Sequence, residues 1–241
     1  MILLLSAILP VAVFLFFIFR KDTEKEPIKL LLKCFLWGCI ATLPIVLIEL
    51  VFDFFNIFTS AFWHSFYKAF VVAAFVEEGV KFLVLYWIIW KHKEFDQHFD
   101  GIVYAVFVSL GFAVVENILY VFDGGIGISV MRAILAIPLH GFCGVIMGYF
   151  FAIAKFCEID KKQKFLWLSF LVPLLFHGLY DFALFYIEKS SDNIALALLL
   201  FAVFIAVVVF LWRIGIKHIK RHYAKDISKI KESEITTNAS S

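Results

Sequence analysis

Apolar runs of about 20 residues, parted by short polar stretches, recur along most of this chain. Such a length is what roughly 30 Å of hydrocarbon demands of a helix rising about 1.5 Å per residue. The balance of residue types agrees: 63% are apolar and 17% charged, with a mean hydropathy of +0.94. Soluble domains carry roughly 45–50% apolar and about 25% charged residues, so too little polar surface exists here to cover a water-facing ball. The expected fold is all-α, a polytopic transmembrane helical bundle.

Seven spans are expected, over residues 1–19, 30–52, 66–90, 99–122, 130–154, 165–187 and 194–212. The first lacks a basic leader and a small-residue cleavage site, and is expected to be retained as a helix. Residues 1–212 read as one transmembrane domain, and 213–241 as a basic-to-polar, flexible cytoplasmic tail.

The net charge of +2 hides an alternation. Arg20, Lys21, Lys25 and Lys29 fill the first loop, Lys91 and Lys93 the third, and Lys155, Lys161, Lys162 and Lys164 the fifth. The intervening loops, FNIFTSAFWHS, DGGIGIS and EKSSDN, hold a single lysine, Lys189. Basic residues near span ends stay on the cytoplasmic side, so the N-terminus is expected outside and the C-terminus inside. A multi-pass protein of the cell inner membrane is the expected setting. The four cysteines, Cys34, Cys39, Cys143 and Cys157, show no metal spacing and read as small buried hydrophobes.

Ionisable residues inside spans carry the functional information, because burying a charge in the membrane is costly unless it is paired, hydrated or protonated. FVEEGVKF places Glu77, Glu78 and Lys81 in the third span, and FAVVEN places Glu116 and Asn117 in the fourth. HGFCG brings His140 in the fifth, and HGLYD brings His177 and Asp181 in the sixth. Counted from the outer ends of their spans, these groups share a layer roughly 9–18 Å deep. Lys81 stands four and three positions after the two glutamates and reads as their counter-ion. Asp181, one turn beyond His177, can accept its ring proton or act directly. Gly144 and Gly148 form a GxxxG stripe beyond His140 that allows close helix approach.

Glu77, Glu78, Glu116, His140, His177 and Asp181 are the candidate catalytic residues. Two imidazoles with several carboxylates suit one zinc ion and a water that a remaining glutamate deprotonates, with His140, His177, Glu78 and Glu116 as candidate ligands. A metal-free route, in which a glutamate and a histidine polarise water directly, remains open beside it. Glu49 and Asp53, at the outer boundary, read as solvated acids; Arg132, His64, His92, His98 and His218 read as interfacial or loop residues. Trp63, Trp90, Trp167 and Trp212 suit an interfacial belt, and nothing suggests nucleic-acid binding.

Taken together, EEGVK at 77–81, FAVVE at 112–116, HGFCG at 140–144 and HGLYD at 177–181 resemble the PrsW-type intramembrane proteases, relatives of the CAAX-prenyl protease group. The four motifs fall in order on successive spans, from residue 66 to 187. The resemblance implies an intramembrane endopeptidase, described as a metalloprotease, whose partners are the bilayer and a single-pass or other membrane-protein substrate. In better-described members that substrate is an anti-sigma factor cut near its outer side. A proton- or cation-coupled transporter or channel using the same buried layer is the alternative the residues allow.

Overall fold

In a computed structural model of the chain, residues 2–22 and 24–189 are described, together with isolated positions beyond them. Every regular element among the described residues is helical. They are α1 (Ile2–Lys21), α2 (Ile28–Phe54), α3 (Ala61–Tyr67), a π-helical segment (Lys68–Ala74), α4 (Phe75–Ile89), α5 (His98–Ile134), α6 (Ala136–Phe156) and α7 (Ile159–Lys189).

Among the described residues, five helical stretches are long and apolar enough to cross a membrane: Leu4–Lys21, Ile28–Phe54, His98–Phe122, Gly124–Phe156 and Ile159–Lys189. The third expected span is helical as well, but built in pieces, running from α3 through the π-helical turns into α4. The seventh expected span and the tail lie outside the described residues, apart from isolated positions.

α5 is the central post. Residues 99–114 are all buried, and the helix packs most extensively on α6, then on α2 and α1, while α6 turns its other side to α7. Glycines set these distances, as close packing of membrane helices requires. A Cβ on Gly38 of α2 would sit 2.1 Å from the Val108 carbonyl oxygen, and one on Gly148 of α6 would sit 2.2 Å from that of Gly101. Gly148 of the predicted GxxxG stripe therefore lies on the α5–α6 seam. Large apolar side chains such as Leu9, Leu43, Leu50, Leu83 and Trp87 stay exposed, as on a bundle solvated by lipid.

The polar stretch DGGIGIS, expected as a loop, is helical instead. α5 continues to Ile134 and changes direction at Gly125, which takes a φ of +69°. Glycine reaches that backbone region without steric cost, so the chain bends and returns to helix rather than unravelling. The short helical arm after the bend leads directly into α6. Pro138 then falls in the first turn of α6, where its missing N–H leaves no helical bond unmade.

Candidate active site

Each polar group is placed by its own helix. The π-helical segment adds a residue per turn just before α4 and so resets which face the following residues present. Glu77 and Glu78 follow in the first turn of α4, which continues the π-helical segment without a break. Lys81, fully buried one turn on, donates from Nζ to Glu77 Oε2 and to Glu78 Oε1, each at 2.9 Å, and lies 3.2 Å from His140 Nδ1. The aliphatic and aromatic surroundings hold that ammonium too, since it stands 4.1 Å from the centroid of the Phe112 ring. Phe112 also meets His140 edge-on.

His140 (α6) and His177 (α7) face each other with ring centroids 5.1 Å apart. Each is oriented by acids. Glu116 Oε2 lies 2.9 Å from His140 Nε2, while His177 has Glu78 Oε1 2.9 Å from Nδ1 and Asp181 Oδ2 3.2 Å from Nε2. All six expected residues thus meet in one cluster drawn from four helices. One ligand atom from each of Glu77, Glu78, His140 and His177 lies within 4.8 Å of the others, whereas Glu116 and Asp181 stand outside this group, each against a histidine.

The cluster opens on a cavity of about 530 Å³ lined by Glu77, Glu116, His140, His177 and Asp181 among others. Glu77 lines it; Glu78, fully buried, lies behind and leaves Oε2 without a hydrogen-bond partner among the described residues. The adjacent acids, indistinguishable in sequence, therefore have different surroundings.

Arg132 was expected at an interface, but it is mostly buried and belongs to this site. Its Nη2 pairs with Glu116 Oε2 at 2.7 Å, its Nε donates to Asn117 Oδ1 at 3.0 Å, and its guanidinium covers the Tyr120 ring. Asn117 in turn donates to the Ala7 carbonyl of α1. The bend at Gly125 explains the difference, because it folds the arm carrying Arg132 back toward Glu116. An arginine shortly after a Gly-Gly pair, between a span bearing a glutamate and one bearing a histidine, was the sequence signal for it. Glu49 was expected as a solvated boundary acid; it too lines the cavity.

The donor set fits a divalent metal on its charge as well as its chemistry. Glu77, Glu78, Glu116 and Asp181 face Lys81 and Arg132, and four acids less two cations leave two negative charges uncompensated when both histidines are neutral. The unbonded Glu78 Oε2 is a further acceptor in need of a partner. Carboxylates and neutral imidazoles are ordinary ligands of such an ion.

Comparison with known proteins agrees with this arrangement. The family described as PrsW family intramembrane metalloprotease matches residues 26–212. Proteins named Protease PrsW are similar to the chain along most of its length. That of Geobacillus kaustophilus is 39% identical over 78% of this chain and 82% of its own. The Oceanobacillus iheyensis protein is 38% identical over 92% and 96%, and the Bacillus subtilis protein 35% over 88% and 90%. No solved structure matches. The ion-transport alternative gains no support from these relatives. With the motifs gathered in one buried site, and with matches that cover most of both chains, this multi-pass membrane protein belongs to the PrsW family of intramembrane metalloproteases.

Proposed function

We propose that the chain hydrolyses a peptide bond in the outer-side membrane segment of a single-pass protein of the cell inner membrane, an anti-sigma factor being the substrate that the family resemblance implies. The observation that carries this is the convergence of Glu77, Glu78, His140 and His177 within 4.8 Å at the inner wall of an open cavity.

The seven-span arrangement with the N-terminus outside is part of the same reading. Lys155 Nζ donates to the Trp90 carbonyl at 2.8 Å, Lys162 covers the Trp90 ring, and the Tyr104 hydroxyl donates to Glu26. These contacts gather the first, third and fifth loops, the basic ones, at one end of the bundle. The cavity is lined by residues near the other end, including Glu49, Lys68, Leu135 and Glu188. That supports a cut in the outer half of the membrane.

In this reading Glu78, His140 and His177 hold zinc or a similar divalent ion, and Glu77, the acid of the pair that lines the cavity, takes the proton of the attacking water at a carboxylate oxygen. The ion, when bound, supplies a Lewis acid that lowers the pKa of water and polarises the scissile carbonyl. Glu116 fixes the His140 ring through Nε2, and Asp181 fixes His177 in the same way. Lys81 offsets the charge of the two glutamates away from bulk water. The surrounding apolar wall keeps bulk water out and strengthens each of these electrostatic interactions.

The test is cleavage of fluorescent single-pass segments by protein reconstituted in nanodiscs. Wild type is expected to cut, Glu77→Gln, Glu78→Gln and His177→Ala to lose at least about a hundredfold in rate, and chelation followed by zinc to abolish and restore cutting. Undiminished cleavage by Glu78→Gln and His177→Ala would place the reaction elsewhere.

A further inference from the structure

One wall of the cavity comes from α2, which contributes no residue to the four motifs. Thr42, Val46 and Glu49 all line it, and their spacing of four and three places them on one helical face. Two of the three are polar, and neither side chain bonds to another described residue. Thr42 is 4% exposed, and its hydroxyl makes no hydrogen bond with any described residue. A threonine within a helix commonly returns its hydroxyl to the carbonyl one turn back, and this one does not.

Glu49, half-buried, enters no hydrogen bond or ion pair among the described residues. The cations that line the cavity are engaged elsewhere: Arg132 with Glu116 and Asn117, and Lys68 over the Phe185 ring at 5.1 Å. Of the charges that act on Glu49, those of Glu77 and Glu116 carry its own sign, while Lys81 and His177 oppose them from the far side of the cluster without bonding to it. A carboxylate in an apolar wall, facing other carboxylates, is complementary to a cation supplied from outside.

We propose that Thr42 and Glu49 form a substrate subsite on α2, with Thr42 bonding the main chain of the bound segment and Glu49 pairing with a lysine or arginine side chain on it. This rests on the peptidase reading above. Spacing makes the proposal specific. Ala41 and Ile45, the neighbours of Thr42 on α2, pack with Val76 and Phe112, so Thr42 is level with Glu77 and the reacting centre. Glu49 lies seven residues further, about 10 Å along the helix. An extended strand advances roughly 3.3 Å per residue, so the basic residue falls about three positions from the scissile bond, toward the outer side.

The experiment uses a panel of dye-labelled single-pass segments that differ in one residue, Lys, Leu or Glu, moved stepwise along the outer half. Cleavage is measured with wild type, and binding by anisotropy with the Glu77→Gln/Glu78→Gln variant, both in nanodiscs and each with and without Glu49→Gln or Glu49→Lys. A lysine two to four positions outward is expected to be favoured over leucine by at least about tenfold in both kcat/KM and affinity. Glu49→Gln is expected to collapse that ratio, and Glu49→Lys to reverse it toward the Glu-bearing segment. Thr42→Val is expected to weaken every segment alike. Equal effects of Glu49→Gln on Lys and Leu segments, or no preference in wild type, overturn the subsite. A lysine preference in binding that depends on Glu49, with no cleavage at all, supports the subsite and removes the peptidase reading.

Discussion

Arg132 Nη2 stands 2.7 Å from Glu116 Oε2, across the bend that Gly125 puts into α5. The arginine thereby anchors the acid that orients His140. Arg132→Gln is expected to cost about 1–2 kcal/mol, less than a fully buried pair because both side chains keep some solvent contact. Arg132→Lys is expected to keep most of that stability yet still lower kcat/KM, since an ammonium cannot serve Glu116 and Asn117 in the same fork geometry. Thermal unfolding and kinetics on the two variants separate charge from shape.

The bend itself is testable. A Cβ at Gly125 meets nothing within 4 Å, so Gly125→Ala adds no clash and acts through the backbone alone. Gly125 combines its positive φ with a ψ of −160°, a region essentially confined to glycine, so the variant should lose of order 1–3 kcal/mol of stability. Because relaxation of the strain moves the arm, a disproportionate fall in activity is expected, to be read against the melting temperature.

Helix spacing gives a sharper contrast. A Cβ at Gly111 would lie 2.1 Å from the Phe35 carbonyl oxygen, backbone that cannot give way, whereas one at Gly127 meets nothing within 4 Å. Gly111→Ala should therefore destabilise by several kcal/mol, of order 3 or more, and Gly127→Ala should be close to silent. Similar melting temperatures for both would show that α2 and α5 do not approach as described.

Lys81 offers a test of the charge balance. With Lys81→Met, Glu77 and Glu78 lose the ammonium that each bonds at 2.9 Å, a change of about 3–5 kcal/mol for a buried pair. Zinc should raise the melting temperature of Lys81→Met more than that of wild type, because the unbalanced charge at the site is then larger. An equal zinc response in both proteins argues against a metal held by these carboxylates.

At the opposite end of the bundle, burial pushes the Glu26 carboxyl up to about 7, with Asp22 and Asp96 adding repulsion and the Tyr104 hydroxyl opposing the rise. The folded state then holds this proton more tightly than the unfolded chain, whose glutamate titrates near roughly 4.3. Stability from this group is present below that value and is lost as pH climbs to about 7. Glu26→Gln should flatten the fall in melting temperature between pH 5 and about 8.

The one-dimensional pattern was enough for helices, for local pairs, and for naming the six residues that the structure gathers in one cluster. Apolar runs long enough for the bilayer specify helix, and acids set four and three positions before Lys81 are bound to meet it on a shared face. It placed Glu77, Glu78, Glu116, His140, His177 and Asp181 at a common depth, because depth follows from counting along a helix. Rotation about each helix axis is different, for it is set by packing between helices and leaves little trace in spacing. Only tertiary structure showed that Glu77 lines the cavity while Glu78 lies behind it, that Glu116 stands against His140, and that α2 brings Glu49 to the same space. The place of Arg132 was decided in the same way: the Gly-Gly pair before it is visible in the sequence, but the direction in which a positive φ at Gly125 turns the chain appears only in three dimensions.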